Sequence, residues 1–279
     1  MARIKAGTLE FVNNLKKLGS GKYQTWEVWQ DFVIMTACAI SNVTDRADNH
    51  HPHREEMYLE RVKKYTKEEL LIMRSLYFET VGAYEKNPEQ DFLGEMYMQL
   101  ELGNHWKGQF FTPYNLCEAM AELSAPEACQ RIKEQGYITV LDPTCGAGAT
   151  LLGFANTLMK RQYSGELKVN WQNHVLFIGQ DIDTVVGLMC YIQMSLLGCA
   201  GFVKIGNSLT KPLTVGEDDT DYWYTTMYFH EVWHTRRLAN AMDRFLWDKP
   251  KEVSKEEQQE EKQQEAVYVV NEVGQLTFF

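Results

Sequence analysis

Residues 140–148 read VLDPTCGAG, and this stretch decides the fold. The apolar, β-branched run Ile138–Leu141 ends in the acidic Asp142, and an apolar helical pattern begins just after Gly148. A strand that ends in an acid and a glycine-rich turn before a helix is how α/β proteins form a nucleotide-sized cradle. Gly146 and Gly148 allow a tight turn and the close approach of a ligand to the backbone. The stretch therefore predicts an α/β protein with a nucleotide-like ligand.

Beyond residue 137, apolar strand patterns alternate with helical patterns, which predicts a parallel sheet with right-handed crossovers. The predicted strands are Ile138–Asp142, Val175–Asp181, Phe202–Ile205 and Tyr222–Phe229. Helices are expected after the first strand to about residue 161, after the second strand, and over about 231–247.

The chain before about residue 105 has helical spacing instead, over 7–47, 55–82 and 89–102. His50, His51 and His53 lie between the first two stretches and are expected on a surface loop rather than around a metal. We predict a helical N-terminal domain (1–105), a ligand-binding α/β domain (106–248) and a charged tether with a C-terminal strand or docking peptide (249–279).

The composition favours a globular protein without a membrane span. The hydrophobic fraction of 44% supports a real core, and no apolar run reaches the length of a membrane span. The six cysteines show no close pairing, which predicts free thiols in the cytoplasm. The net charge of −10 is unfavourable for DNA binding by this chain without a partner, because phosphate contacts require a basic surface.

Three further motifs accompany the opening stretch: GQFFTP at 108–113, GQDID at 179–183 and GNSL at 206–209. Asp181 ends the second strand, where a carboxylate accepts hydrogen bonds from ribose hydroxyls. Asp183 is read either as a ligand contact or as the N-cap of the next helix. Asn207 is read either as a partner for an adenine edge or as a plain turn residue.

These four motifs, in this order, resemble those of the adenine-N6 DNA methyltransferases, in particular the modification subunit of type I restriction systems. The resemblance covers roughly residues 7–210. It implies a Rossmann-like sheet that binds S-adenosylmethionine and a role in DNA methylation. The residues that the resemblance implies for the cofactor are Phe110, Thr112 and Pro113 at its methionine end, Asp142, Thr144, Gly146 and Gly148 in the cradle, Asp181 and Ile182 at the ribose, and Asn207 and Leu209 at the adenine.

One family motif is absent. The family's Asn-Pro-Pro-aromatic turn at the end of the fourth strand binds the target amino group and stacks on the flipped base. This chain has seven prolines and no Pro-Pro pair, so Tyr224 and Tyr228 are the remaining stacking candidates. Two functions stay open: an active enzyme, with another subunit that helps it to recognise DNA, and a non-catalytic methyltransferase-like subunit or DNA-complex accessory protein.

Two other patterns point elsewhere. His230-Glu231-Val232-Trp233-His234 matches H-E-x-x-H, the helix signature of zinc peptidases, although no obvious third ligand follows. The C-terminal Gln275–Phe279 resembles the peptides that dock on the bacterial sliding clamp. The competing interpretation of this tail is a β-hairpin formed by residues 266–279 that folds back on the sheet.

Overall fold

The computed structural model describes residues 8–19, 21–45, 50–100, 102, 111–213, 220–247, 268–270 and 276–278. Within these residues the chain forms nine α-helices and six strands. The helices are α1 (Leu9–Gly19), α2 (Thr25–Thr44), α3 (His51–Val62), α4 (Lys67–Lys86), α5 (Phe92–Gln99), α6 (Tyr114–Gln135), α7 (Ala149–Tyr163), α8 (Thr184–Leu197) and α9 (Glu231–Trp247). The strands are β1 (Ile138–Asp142), β2 (Val175–Asp181), β3 (Ala200–Ile205), β4 (Tyr222–Tyr224), β5 (Tyr268–Val270) and β6 (Leu276–Phe278).

The main sheet has the strand order β1-β2-β3-β4. β1, β2 and β3 are parallel, and Asp142 lies opposite Gly179 while Asp181 lies opposite Ile205. The predicted βαβαβ arrangement is confirmed, with the bounds of the first two strands as expected. Since the carboxyl ends of parallel strands share one edge of a sheet, this register brings the two acids to the same edge.

The two faces of the sheet are covered differently. On one face, the α7 residue Phe154 packs edge-on against Phe177 of β2, with ring centroids 6.5 Å apart. On the other face, Leu141, Ile178 and Phe202 lie opposite one another in register across β1, β2 and β3. Leu141 is 53% exposed and the other two are half-buried, so this face carries apolar side chains that stay accessible among the described residues.

The fourth strand differs from the prediction. The run Tyr222–Phe229 is a strand only over Tyr222–Tyr224, and it then becomes a 3-10 turn over Thr226–Phe229. β4 pairs antiparallel with β3, with Tyr224 opposite Phe202. The hydroxyl of Thr225 ends the strand, because it donates to the carbonyl of Cys199 at 2.7 Å and accepts from the N–H of Gly201 at 3.0 Å.

The N-terminal part is helical, as expected. The ring of Phe11 in α1 makes edge-on contacts with Trp29, Phe32 and Phe92, at centroid distances of 6.1, 5.7 and 5.3 Å. The predicted helical stretch 55–82 is in fact two helices, α3 and α4. Thr66 separates them because its side chain caps the N–H of Glu69, the start signal of α4.

The prediction that His50, His51 and His53 lie on a surface loop is wrong. Helix α3 begins at His51, and His50 is fully buried with its Nδ1 2.9 Å from Oδ2 of Asp45. The same Asp45 oxygen accepts from Arg54 at 2.6 Å, and Arg54 is also fully buried. A buried charge is retained where a partner compensates it, so His50 has a structural place beside an ion pair.

Residues 1–234 form one compact unit and residues 235–279 a second, with the division inside α9. In the second unit, β5 and β6 pair antiparallel as a two-stranded sheet, with Tyr268 opposite Phe278. The antiparallel pairing agrees with the hairpin interpretation of the tail, but β5 and β6 form a sheet of their own, and packing of the tail on the main sheet stays a prediction. No described helix is long and apolar enough to cross a membrane.

Candidate cofactor site

A cavity of about 540 Å³ lies where β1, β2 and β3 end. The chain residues that line it come from all four sequence motifs. They are Phe111, Thr112, Asp142, Pro143, Thr144, Cys145, Gly146, Ala147, Ala149, Thr150, Asp181, Ile182, Val186, Asn207, Ser208 and Leu209. Of the eleven residues expected around the cofactor, eight line this cavity.

The remaining three are Phe110, Pro113 and Gly148. Phe110 lies outside the described residues, as do the first two residues of its motif. Pro113 is the N-cap of α6, directly after the cavity residue Thr112. Gly148 is not among the residues that line the cavity, and packing against α8 accounts for glycine at this position.

Gly148 has a left-handed backbone with φ of 96°. A β-carbon at this position would lie 2.7 Å from Sγ of Cys190 in α8, far inside van der Waals contact. Only glycine allows the turn to pass this close to the helix while it adopts a positive φ. Gly148 therefore lets the turn lie against α8 and start α7.

Gly146 faces the cavity itself. Its φ is 56°, and its N–H donates to Oδ2 of Asp181 at 2.9 Å. A β-carbon there would lie 3.3 Å from the ring of Phe111, so the missing side chain keeps the space between turn and ring open. Phe111 belongs to the motif at 108–113, but the sequence analysis assigned it no role. Its side chain forms a wall of the cavity and packs against Tyr97 of α5, with ring centroids 5.4 Å apart.

Asp142 holds the turn together. Its Oδ1 accepts from the N–H of Thr144 at 3.0 Å, and its Oδ2 accepts from the hydroxyl of Thr150 in the first turn of α7. The carboxylate thus joins the end of β1 to the start of α7. The sequence analysis did not identify Thr150 as a site residue. Thr150 lies in an apolar helical run, and its hydrogen bond to Asp142 depends on the folded turn.

Asp181 bridges two backbone segments at the cavity. Oδ1 accepts from the N–H of Asp183 and Oδ2 from that of Gly146, both at 2.9 Å. Burial raises the pKa of Asp181 above its ordinary value, with Asp183 and Asp142 adding to the rise, and the two backbone hydrogen bonds oppose it. Each carboxylate oxygen retains a second lone pair, which is what two vicinal ribose hydroxyls require.

Asp183 is a helix cap. Its Oδ1 accepts from the N–H groups of Val185 and Val186 at 3.0 and 3.2 Å, at the start of α8. The cap interpretation is therefore confirmed, and Asp183 is not among the residues that line the cavity.

Asn207 makes the turn that the alternative interpretation predicted. Its Oδ1 accepts from the N–H groups of Leu209 and Thr210 at 2.9 and 3.3 Å. It also lines the cavity, so a contact with an adenine edge stays a prediction for its amide. Leu209 is 91% exposed and Ile182 68% exposed, which leaves apolar surface at the mouth of the cavity.

Gln193 in α8 is the supporting residue that the sequence analysis missed. Its Nε2 donates to the carbonyl of Ala147 in the turn and to Oδ1 of Asp91, both at 2.8 Å. Its Oε1 accepts from the N–H of Leu93 at 2.8 Å and from the hydroxyl of Tyr84 at 2.5 Å. A single fully buried amide therefore connects the cradle turn to α4 and α5. The one signal in the sequence is a long polar side chain in the middle of a largely apolar helix.

We expect Gln193→Met to destabilise the protein by about 2–4 kcal/mol, because four buried polar groups lose their partner while the volume is nearly kept. Urea denaturation followed by circular dichroism measures this change. Gln172→Met is the control, since among the described residues that half-buried side chain makes one hydrogen bond, which it donates to the carbonyl of Gly198. Equal losses in the two variants would contradict the assigned role of Gln193.

Asp91 provides a pH test of the same network. Burial raises its pKa from 3.8 to about 6, against the hydrogen bonds from Gln193 and Gly94. Between these two values the folded chain holds a proton that the unfolded chain releases, so stability falls as the pH rises through this window, by about 3 kcal/mol in total. We expect Asp91→Asn to remove this fall, as measured by urea denaturation of both proteins between about pH 4 and pH 7. Curves for the two proteins that stay parallel would contradict it.

The two tyrosine candidates for base stacking do not lie at the cavity. Because β4 is antiparallel to β3, its carboxyl end lies at the amino end of β3, next to Cys199 and Gly201. Tyr224 and Tyr228 stack on each other there, with centroids 4.6 Å apart. The antiparallel pairing therefore does not support their expected role in stacking on a target base.

The two histidines of the zinc-peptidase pattern do not lie on one helix. His230 has an extended backbone and precedes α9, so only His234 is inside the helix. No group of three or more metal-ligating side chains occurs in the part of the chain that the structure describes. Cys145 is buried, and its contact with Cys190 together with burial raises its pKa, which favours a packing residue over a nucleophile.

The N-6 DNA methylase family model matches residues 88–276, more than half of the chain. The chain belongs to this family. No curated protein matches the chain. The match begins before α5 and includes every strand of the cavity, so it covers the whole cofactor site described above. Membership supports a DNA adenine methyltransferase-like function, and members of the family use S-adenosylmethionine.

The raised pKa of Asp181 has a consequence in this family. An ionised carboxylate accepts hydrogen bonds from ribose hydroxyls, so protonation of Asp181 would remove acceptor capacity. We expect the affinity for S-adenosylmethionine to fall on acidification, beginning at a higher pH than for an ordinary aspartate. Calorimetric titrations over a series of pH values measure this, and an affinity that does not change down to the ordinary aspartate pKa would contradict it.

Proposed function

We propose that this chain binds S-adenosylmethionine in the cavity at the ends of β1, β2 and β3, and serves methyl transfer to adenine N6 in DNA within a restriction-modification type system. The single observation that carries the proposal is the convergence of Asp142, Asp181, Asn207 and the Gly146 turn on one cavity. Four motifs that are separate in the sequence line one ligand-sized space.

The residues present fit the cofactor. The volume of about 540 Å³ is in the range of small-molecule sites. Asp181 offers acceptors to the ribose hydroxyls, and Gly146 leaves room beside the ring of Phe111. The exposed side chains of Ile182 and Leu209 offer apolar surface for an adenine ring. The residues that line the cavity thus offer both polar and apolar contacts.

S-adenosylmethionine supplies an activated methyl group on a sulfonium. The contribution of the chain is to bind and orient it, because positioning of an activated donor accounts for much of such a rate enhancement. Thr112 and Pro113 lie at the start of α6 and are proposed at the methionine end, together with Phe110. Thr144 is proposed beside the carboxylate of Asp142 in the cradle.

A second candidate is a non-catalytic methyltransferase-like subunit. The observation that favours it is the absence of an Asn-Pro-Pro turn from the sequence, together with the placement of Tyr224 and Tyr228 at the far end of β3. The net charge of −10 also favours a second subunit for contact with DNA. In either case we propose a helical domain over 1–105, a cofactor domain over 106–248, and cytoplasmic action, in line with six free cysteines.

Isothermal titration calorimetry with S-adenosylmethionine, followed by transfer of a radiolabelled methyl group to unmethylated DNA, tests the proposal. Binding with transfer supports an enzyme, and binding without transfer supports the non-catalytic subunit. Absence of binding overturns both. S-adenosylhomocysteine serves as the competitor that shows that both ligands share one site.

The tail remains a separate proposal. Residues 276–278 form β6, while Gln275 and Phe279 lie outside the described residues. Deletion of residues 275–279 followed by a sliding-clamp binding measurement tests docking, and an affinity equal to that of the full chain would remove the idea.

A further inference from the structure

A second cavity lies in the helical part of the chain, between α2, α3 and α4. Its volume is about 600 Å³, which is larger than the cofactor cavity and in the range of small-molecule sites. The two cavities share no lining residue, and all residues that line the second one belong to the unit formed by residues 1–234. The function proposed above does not use this cavity.

The cavity exists because α3 and α4 separate from each other. α3 packs along α2 and α4 along α1, while α3 and α4 make little mutual contact. The turn between them is held on α2 by Asp31, whose carboxylate accepts from Nζ of Lys64 at 3.0 Å and from the hydroxyl of Tyr65 at 2.9 Å. The two helices therefore diverge from one fixed point, and α2 forms the floor of the wedge between them.

The two ends of this wedge differ in chemistry. The narrow end, beside Asp31, is lined by Phe32, Val62 and Leu70, with Thr36 as a polar residue among them. The wide end lies about 18 Å further along α2, twelve residues after Phe32 (44 − 32). The hydroxyl-bearing lining residues that lie further from Asp31 are Thr44, Tyr58, Tyr77 and Thr226. The cavity is thus apolar at its narrow end and more polar towards its wide end.

Arg74 is the one charged residue among those that line the cavity. No ion pair or hydrogen bond of its guanidinium occurs within the ranges that the structure describes. The residues three and four positions away on α4 are Leu70, Leu71, Tyr77 and Phe78, so its own helix offers no acid at ion-pair spacing. A guanidinium is a planar fork that matches the geometry of a carboxylate, so the cavity selects an anionic group.

We propose that this cavity binds an amphipathic carboxylate, of the class of free medium-chain fatty acids. The hydrocarbon chain lies towards Phe32 at the narrow end, and the carboxylate accepts hydrogen bonds from Arg74. Burial of the apolar chain provides most of the affinity, and the guanidinium selects the head group. The proposal stands apart from methyl transfer, since no residue of the cofactor cavity takes part in it.

The position of the cavity gives such a ligand a structural effect. Thr226, which follows β4, lines the cavity together with the helices. Arg54 of α3 donates to the carbonyl of Tyr222 in β4. A ligand bound here therefore contacts both the helices and the segment after the last strand of the main sheet, and it is expected to raise the melting temperature.

The first test is a calorimetric titration of the full chain with sodium decanoate, below its micelle concentration. We expect saturable binding at one site per chain. Hexanoate is expected to bind about a hundredfold more weakly, because four methylene groups are lost from the buried chain. Decyltrimethylammonium has the same chain with a cationic head, and it is expected to bind at least about tenfold more weakly.

Equal binding of decanoate and decyltrimethylammonium would show a general affinity for apolar chains and would overturn the proposal. Absence of decanoate binding would also overturn it, and would leave the cavity to another occupant, such as an apolar helix of a partner protein.

Three variants test the position of the ligand. Arg74→Gln is expected to weaken decanoate binding about tenfold and to remove the preference over decyltrimethylammonium. Arg131→Gln is the matched control, since it removes the same charge from an exposed position of α6 that lines neither cavity. Ala39→Phe fills space at an exposed lining position of α2. It is expected to weaken binding at least about tenfold, with a melting temperature of the ligand-free protein close to that of the wild type.

Decanoate affinity that is equal in the wild type, Arg74→Gln and Ala39→Phe would overturn the proposal. A similar loss in Arg74→Gln and Arg131→Gln would overturn it as well, because net charge rather than Arg74 would then determine binding. Failure of S-adenosylmethionine to bind would leave this proposal standing, since the two titrations concern separate cavities.

Discussion

Replacement of Asp181 by alanine is expected to weaken S-adenosylmethionine binding by at least about a hundredfold. Hydrogen bonds to a charged group contribute about 1.5–3 kcal/mol each, and the ribose has two hydroxyls to donate. The variant also releases the N–H groups of Gly146 and Asp183, so the cradle turn loses one of its hydrogen bonds to β2 and keeps that from the N–H of Cys145 to the carbonyl of Gln180. Calorimetric titration of the wild type and the variant measures the change.

Asp183→Ser is the matched control for this prediction. Asp183 is two residues away and carries the same charge, yet its carboxylate caps α8, and serine caps a helix about as well as aspartate. We expect the control to keep its affinity within about threefold. A similar loss in both variants would mean that general charge, rather than the position of Asp181, determines binding.

Replacement of Arg54 by methionine is expected to cost about 3–5 kcal/mol of stability, the effect of breaking a buried ion pair. The fully buried guanidinium donates to Ser41 and Asp45, both at 2.6 Å, and to the carbonyl of Tyr222 in β4. It also lies 4.2 Å from the centroid of the ring of Trp223. Arg54 thus joins α2 and α3 to the last strand of the main sheet. Thermal and urea denaturation measure the loss.

Arg161→Met is the comparison for Arg54. Arg161 also makes two ion pairs, with Glu122 and Glu166, but both of these carboxylates are half-exposed or more. Exposed pairs contribute about 0–1 kcal/mol, so this variant is expected to remain close to the wild type. In the double variant Arg54→Met with Asp45→Asn, part of the lost stability is expected to return, since the uncompensated carboxylate is gone. No recovery would contradict the ion-pair explanation.

The central part of the fold could be predicted because local signals and the fold agree there. Asp142 and Asp181 interrupt apolar runs at the points where β1 and β2 end, and Gly146 and Gly148 have the positive φ values that a tight turn requires. Parallel pairing then brings the separate motifs to one edge. The cavity therefore follows from spacing and strand direction, without knowledge of any contact.

The direction of β4 could not be predicted, because it depends on long-range contacts. The run Tyr222–Phe229 is apolar throughout, so its pattern does not indicate which strand it joins or where it ends. The hydroxyl of Thr225 ends the strand by bonding to Cys199 and Gly201, which are more than twenty residues away. Consequently the pattern alone made Tyr224 and Tyr228 candidates for base stacking, whereas the fold brings them to the other end of β3 from the cavity.

The buried polar residues were missed for a related reason. His50 and its neighbours have the composition of a surface loop, and burial follows only from Asp45 and Arg54 as partners. Gln193 appears in the sequence as one polar residue within an apolar helix, and its four partners come from α4, α5 and the cradle turn. Such residues satisfy their hydrogen bonds through tertiary structure, which a one-dimensional pattern does not contain.

The most direct test of the account is a calorimetric titration of the full chain with S-adenosylmethionine. The account predicts saturable binding at one site per chain, with competition by S-adenosylhomocysteine and loss of the signal in Asp181→Ala. A wild-type chain that shows correct folding by circular dichroism and no binding of either ligand would contradict it.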